Sequence, residues 1–263
     1  MSTRTSKRDS VCASSDNRLT SKKQRTLDDC AKILVNKFQK HYATNAKEDK
    51  LWVKAFSLIA EEYKGIENVI YPGCYIHVTP SFVFPKVVYV DSFRGKKNFM
   101  KSFYENETVL NELVYKHSTE SRAIVYHQND YSGNFSEPEL SFDMLISLSA
   151  GAISKDCQKY LKKGGILFAN NDHGDASIAS TLKNLELVGA ISGNRYCELE
   201  NEAGVKFLSD RQQLERSFVL KKSGKRISFD QAIQNSKVGR SSWPCKLISP
   251  SKEVLGYIFK KVK

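Results

Sequence analysis

Apolar residues at the start of this chain recur at helical spacing. Leu27, Ala31, Leu34, Val35 and Phe38 form one stripe, and Leu51, Trp52, Ala55, Phe56, Ile59, Ala60 and Tyr63 form a wider one. The spacing predicts helices over 27–42 and 47–63, the first capped by Thr26 and the second ended by Gly65. The pattern then changes to short apolar runs at Val69–Tyr71, Val87–Val90, Ala123–Tyr126, Met144–Leu148 and Ile166–Ala169. Helical patterns lie between them, at Arg94–Tyr104 with Thr108–His117, Ile153–Leu161 and Ala176–Leu182. Buried-type strands alternating with helices predict an open α/β sheet, mostly parallel, with helices on both faces. After Leu185 the runs at Leu187–Ile191, Arg195–Leu199 and Val205–Leu208 are short and broken by Gly or Asn, which suits antiparallel pairing. Gly256–Phe259 reads as a final strand.

The stretch from Glu62 to Asp91 carries the most information. Val69-Ile70-Tyr71 breaks at Pro72-Gly73, and Val87-Val88-Tyr89-Val90 ends on Asp91, 18 positions after the glycine. A glycine turn after one strand and an acid closing the next, roughly 20 residues on, suit a nucleoside: the turn lets backbone approach the ligand and the acid pairs with ribose hydroxyls. Asp91 also has a second reading, as a strand-end cap.

Composition narrows the class further. No apolar run approaches the roughly 20 residues of a membrane helix, and the N-terminus is polar rather than signal-like. Six cysteines without a CxxC pair read as reduced thiols in a cytosolic setting. The net charge of +12 divides into +5 over residues 1–26, −3 over 27–210 and +10 over 211–263. Two basic ends on a nearly neutral body suggest an anionic partner, nucleic acid or an acidic protein. The expected organisation is a disordered basic tail over 1–25, a helical lead-in over 26–65, a nucleoside-binding core over 66–210 and a basic segment completing the sheet over 211–263. Lys7-Arg8 and Lys22-Lys23-Gln24-Arg25 resemble a two-part nuclear address, so a cytoplasmic protein with nuclear entry in a eukaryotic host is the expectation.

From Glu62 to Ile191 the chain resembles the class I S-adenosylmethionine-dependent methyltransferases, whose fold is Rossmann-like. Val69–Gly73 matches the first strand and its turn, Tyr89-Val90-Asp91 the second, Tyr126–Asp130 the third, and Phe142–Ser147 the fourth. Tyr160–Phe168 matches the entry to the fifth strand, where a helix ends at a Gly-Gly turn. The resemblance implies S-adenosylmethionine as cofactor, bound through Tyr71, Gly73, Asp91, Asp130 and Ser147. Two departures stand out. The family's first turn holds several glycines and this one holds Gly73 alone. The fourth strand runs into Ser147-Leu148-Ser149-Ala150-Gly151, without the Pro-Pro-aromatic platform of base amino methylation.

Asn170-Asn171-Asp172-His173-Gly174-Asp175 follows the fifth strand and should face the same crevice. His173, with Asp172, is the candidate general base. Alternatively, Asn171, Asp172 and Asp175 cap the helix that follows. His77 is a further candidate, and Asp130 also suits ordinary turn chemistry. No standard metal site is expected. Methyl transfer to an unread acceptor is the leading function. A catalytically silent nucleoside-binding module is the first alternative. A dinucleotide oxidoreductase is the second, against which the absence of G-x-G-x-x-G counts.

Overall fold

The computed structural model describes residues 29, 32–33, 35–36, 50–92, 99–114, 122–193, 204–248 and 254–263. The basic tail, the nuclear-type clusters and the strand expected at Arg195–Leu199 lie outside the described residues. So does most of the first predicted helix, of which 29, 32–33 and 35–36 are helical.

Eight strands form one sheet in the order β3-β2-β1-β4-β5-β8-β6-β7. They are β1 (Asn68–Pro72), β2 (Lys86–Val90), β3 (Ala123–His127), β4 (Phe142–Ser147), β5 (Leu161–Ala169), β6 (Leu185–Ser192), β7 (Lys206–Leu208) and β8 (Val254–Lys261). Strands β1 to β5 are mutually parallel, while β8 inserts antiparallel between β5 and β6. This is the expected Rossmann-like α/β class, with its antiparallel strand near the C-terminus.

The helices are α1 (50–62), α2 (Phe99–Tyr104), α3 (Glu107–Leu113), α4 (Ile153–Cys157), α5 (Asp175–Ala179), α6 (Arg211–Glu215) and α7 (Phe229–Ser236). Alternation along each strand sends side chains to two separate cores. Val69, Tyr71, Tyr89, Met144, Ile146 and Phe168 pack under α1, with Trp52 and Phe56. Ile70, Val88, Leu145, Leu167 and Phe259 pack on the other face, with Ile153, Ile178 and Leu214 of α4, α5 and α6.

Two expectations are corrected. The helix expected over Ile153–Leu161 ends at Cys157, continues as a 3-10 turn at Gln158–Tyr160, and gives way to strand at Leu161. The Gly-Gly pair lies inside β5 rather than before it. Gly164 takes φ +83°, and the pairing of β4 with β5 shifts between Phe142 and Met144. A side chain on Gly165 would lie 3.0 Å from the Asp143 carbonyl. The pair therefore bends a strand that had already begun.

Candidate functional site

Strand order reverses between β1 and β4, and in such sheets ligands sit beyond the carboxyl ends at that point. The turn after β1 begins at Gly73, whose amide donates to the Val90 carbonyl at 2.7 Å. Gly73 adopts φ +66° and Tyr75 φ +47°. Tyr75 is held from both sides: its amide donates to Asp91 Oδ2 at 2.9 Å, and its carbonyl accepts from the Tyr104 hydroxyl at 2.7 Å. The glycine turn and the acid therefore converge, as the spacing predicted. The Tyr75 amide thereby orients the Asp91 carboxylate at the end of β2.

An aromatic wall stands beside Asp91. Tyr126 donates its hydroxyl to the Asp91 carbonyl at 3.0 Å and stacks on Tyr104 with centroids 4.7 Å apart. Burial, then the nearby acidic groups, pushes the Tyr126 phenol up. Cys74 is wholly buried under the turn; desolvation first and the Asp91 charge second push its thiol up, so it stays protonated.

The loop between β4 and α4 closes over the turn. Ala150 lies directly on Gly73, so that any side chain there would collide with its Cβ. Gly151, at φ +100°, is backed by the Tyr131 hydroxyl. Room at the glycine is thus taken by this chain's own Ala150.

One buried carboxylate clamps both ends of that loop. Asp175 accepts from the Ser147 hydroxyl at 2.6 Å, the Ser154 hydroxyl at 2.6 Å and the Ser154 amide at 3.0 Å. Desolvation raises its pKa to about 6, against the lowering effect of the two serines. The alternative reading of this loop has Asp175 capping the helix that follows. It serves the amino end of α4 instead, while Asn171 caps α5 by accepting from the Ser177 amide at 2.9 Å. A Ser-Asp-Ser arrangement assembled from β4, α4 and α5 has no local sequence signal.

The remaining candidates divide between core and surface. Tyr71 is buried, its hydroxyl 3.0 Å from His77 Nδ1, and the His77 ring meets Trp52 and Phe56 of α1. Ser147 is also buried, against Asp175. Asp130 is exposed and accepts from the Ser132 amide at 3.0 Å and hydroxyl at 2.7 Å, the turn chemistry anticipated for it. Asp172 accepts from Ser149 Oγ at 3.1 Å, Asn170 Nδ2 at 3.0 Å and Arg240 at 3.2 Å. His173 is exposed beside it. No cluster able to hold a metal ion occurs among the described residues, and no described helix is long and apolar enough to cross a membrane.

Architecture and carboxyl-edge geometry together define a Rossmann-like α/β domain. No family model matches the chain, and no curated protein matches it. Solved structures with a similar arrangement include YcgJ of Bacillus subtilis, at 15% identity over 43% of this chain and 48% of that one, TM-score 0.32. A second is an S-adenosylmethionine-dependent methyltransferase of Leishmania major, at 10% identity over 54% and 59%, TM-score 0.36. A third is the N-methyltransferase NodS of Bradyrhizobium japonicum with S-adenosyl-L-homocysteine, at 12% identity over 82% and 87%, TM-score 0.36. This chain thus spans about half to three fifths of the first two. Likeness at these identities and TM-scores decides nothing about chemistry.

Proposed function

We propose that this protein binds S-adenosylmethionine at the carboxyl edge between β1 and β4 and transfers its methyl group to an acceptor. One observation carries the reading: Asp91 and the Gly73 turn meet through the Tyr75 amide where the strand order reverses. The ribose end of the cofactor would lie at Asp91, a half-buried carboxylate that accepts from the Tyr75 amide. Gly73 and Tyr75 would border the methionine end, which Ala150 narrows. Asp130 and its Ser132 turn would flank the base. Tyr71 and Ser147 would act from beneath, through His77 and Asp175.

When bound, the cofactor supplies an electrophilic methyl on a sulfonium. The protein's share is alignment and exclusion of water, so strong catalytic side chains are not required. His173 would take the proton the acceptor releases, and Asp172, tied to Arg240, would hold the loop that carries it.

Calorimetric titration of the full chain with S-adenosylmethionine tests the reading. Saturable heat with the intact protein, lost in Asp91→Ala, is expected; no heat with the intact protein refutes it. A silent nucleoside-binding module is favoured by one observation, the packing of Ala150 on Gly73. Binding of adenosine as tight as that of the full cofactor would decide for it. In either case the basic ends would engage nucleic acid or an acidic partner, in a cytoplasmic or nuclear setting.

A further inference from the structure

Within the basic C-terminal segment a three-stranded ladder collects cations on one face. Val219 bridges Arg226 and Leu220 bridges Leu247, both antiparallel. The Lys221 amide donates to the Lys246 carbonyl at 3.0 Å, and the Ile248 amide to the Val219 carbonyl at 2.8 Å. This register sets Lys221 directly opposite Lys246, with Arg226 diagonal to Lys221 across Val219. Leu220 and Leu247 point the other way and pack against the core. Like charges directly opposite each other destabilise a ladder, and an anion lying over the pair relieves that repulsion.

No acid occurs from Arg216 to Phe229 or from Gln231 to Ile248. Among the described residues, the segment's ion pairs are Arg211 with Glu215 and Arg240 with Asp172. The ladder cations and the tip residues Lys222 and Lys225 are all exposed.

Arg226 also belongs to a second feature. A cavity of about 370 Å³ opens beside the ladder, floored by Leu214, Phe218 and Ile227 and rimmed by Lys183, Arg211 and Arg226. Its size lies within the range of small-molecule sites. Glu186 and Glu215 also line it, and the latter is held by Arg211. An apolar floor under a basic rim, continuous with a row of cations, matches a base attached to a phosphodiester chain. An acidic peptide would use the row and leave the floor uncovered.

We propose that the ladder and the cavity form one binding site for single-stranded nucleic acid, with phosphates over Lys221, Lys246 and Arg226 and a base in the cavity. This rests on the reading that the basic ends engage an anionic partner, and it stands apart from methyl transfer. The cavity borders the starts of β6 and the end of β8, whereas the Gly73 turn lies at the carboxyl ends of the parallel strands.

The test is fluorescence anisotropy of the full chain with a labelled oligothymidylate longer than the roughly 16 nucleotides such sites span, between about 50 and 200 mM salt. Lys221→Glu should weaken binding and lower the salt slope by about 0.7 to 1. The same change places opposite charges across the ladder, so the unfolding midpoint should not fall. Lys183→Glu should weaken binding too, and a deoxyribose-phosphate strand lacking bases should bind less tightly. Binding indifferent to both variants, or equal binding of the strand without bases, overturns the site while leaving basic-end contact standing. No binding at low salt overturns both. Equal, Lys221-dependent binding of polyglutamate or phosphatidylserine vesicles overturns the nucleic-acid assignment. Cofactor titration should be unchanged in Lys221→Glu, which separates this result from the methyl-transfer reading.

Discussion

Replacing Asp175 by asparagine removes a charge that the fold buries completely while keeping the shape of the side chain. Its pKa rises from the ordinary 3.8 to about 6 because desolvation outweighs the Ser147 and Ser154 hydrogen bonds. At 1.36 kcal/mol per pH unit, that displacement is worth about 3 kcal/mol. The sign follows from proton uptake. Between about pH 4 and pH 6 the folded chain holds the proton more tightly than the unfolded one. Stability fully present below about pH 4 is therefore lost as pH rises through 6. Asparagine does not titrate, and serine hydroxyls can turn to accept from its amide. Asp175→Asn should thus melt close to the unmodified chain at pH 4 and above it at pH 7.5. At about 2–4 °C per kcal/mol for a chain of this size class, the gap is roughly 6–12 °C. Asp175→Ala also discards the charge but leaves the Ser147 hydroxyl and the Ser154 hydroxyl and amide without their acceptor. Each orphaned donor costs about 1–3 kcal/mol, so this variant should melt lower at every pH. Thermal melts by circular dichroism across pH 4–8 measure both. Parallel pH profiles for Asp175→Asn and the unmodified chain would refute the reasoning.

Other consequences follow from particular contacts. Gly73→Ala combines a left-handed φ with a collision against Ala150 and should cost on the order of 1–3 kcal/mol in denaturant melts; adding Ala150→Gly should restore part of that, and no restoration would contradict the packing described. Asp143 accepts from the Glu67 and Asn68 amides and from Lys162. Burial alone would raise its pKa, but these bonds bring it below the ordinary carboxylate value. Its contribution is present above the unfolded pKa and lost as pH falls through the lower folded one. Asp143→Asn should therefore cost about 1–3 kcal/mol at pH 7, a gap that closes only below about pH 4; a gap closing already at pH 6 would rule this out. Arg240→Ala breaks an ion pair whose arginine is 71% exposed and should shift stability by no more than about 1 kcal/mol, read from the same melts.

The candidate site is partly legible in the sequence. Gly73 and Asp91 were found because a turn after one strand and an acid closing its neighbour is a local pattern with a fixed spacing. The two strands pair in parallel, with Tyr71 opposite Tyr89 and Pro72 opposite Val90, so their ends meet. The Asp175 clamp was not legible. Its partners come from β4 and α4, and a capping residue is normally sought within its own helix. The C-terminal helix α7 carries a local signal of its own: Ser228 and Gln231 form a capping box, each side chain bonded to the other's amide. The cation face was invisible for a different reason, since Lys221 and Lys246 become neighbours only through a ladder between distant segments.

The sequence by itself determined that short buried strands alternate with helices through the core, that the sheet is mostly parallel, and that the C-terminal segment is basic. Each of these depends on the period of apolar residues or on composition, and both are local. Tertiary structure alone decided that Ala150 fills the space above Gly73, that Asp175 serves a neighbouring helix, and that the Gly-Gly pair bends a strand. Those outcomes depend on which surfaces are pressed together. Close packing admits few arrangements of side chains once the backbones meet, and no local pattern encodes the meeting.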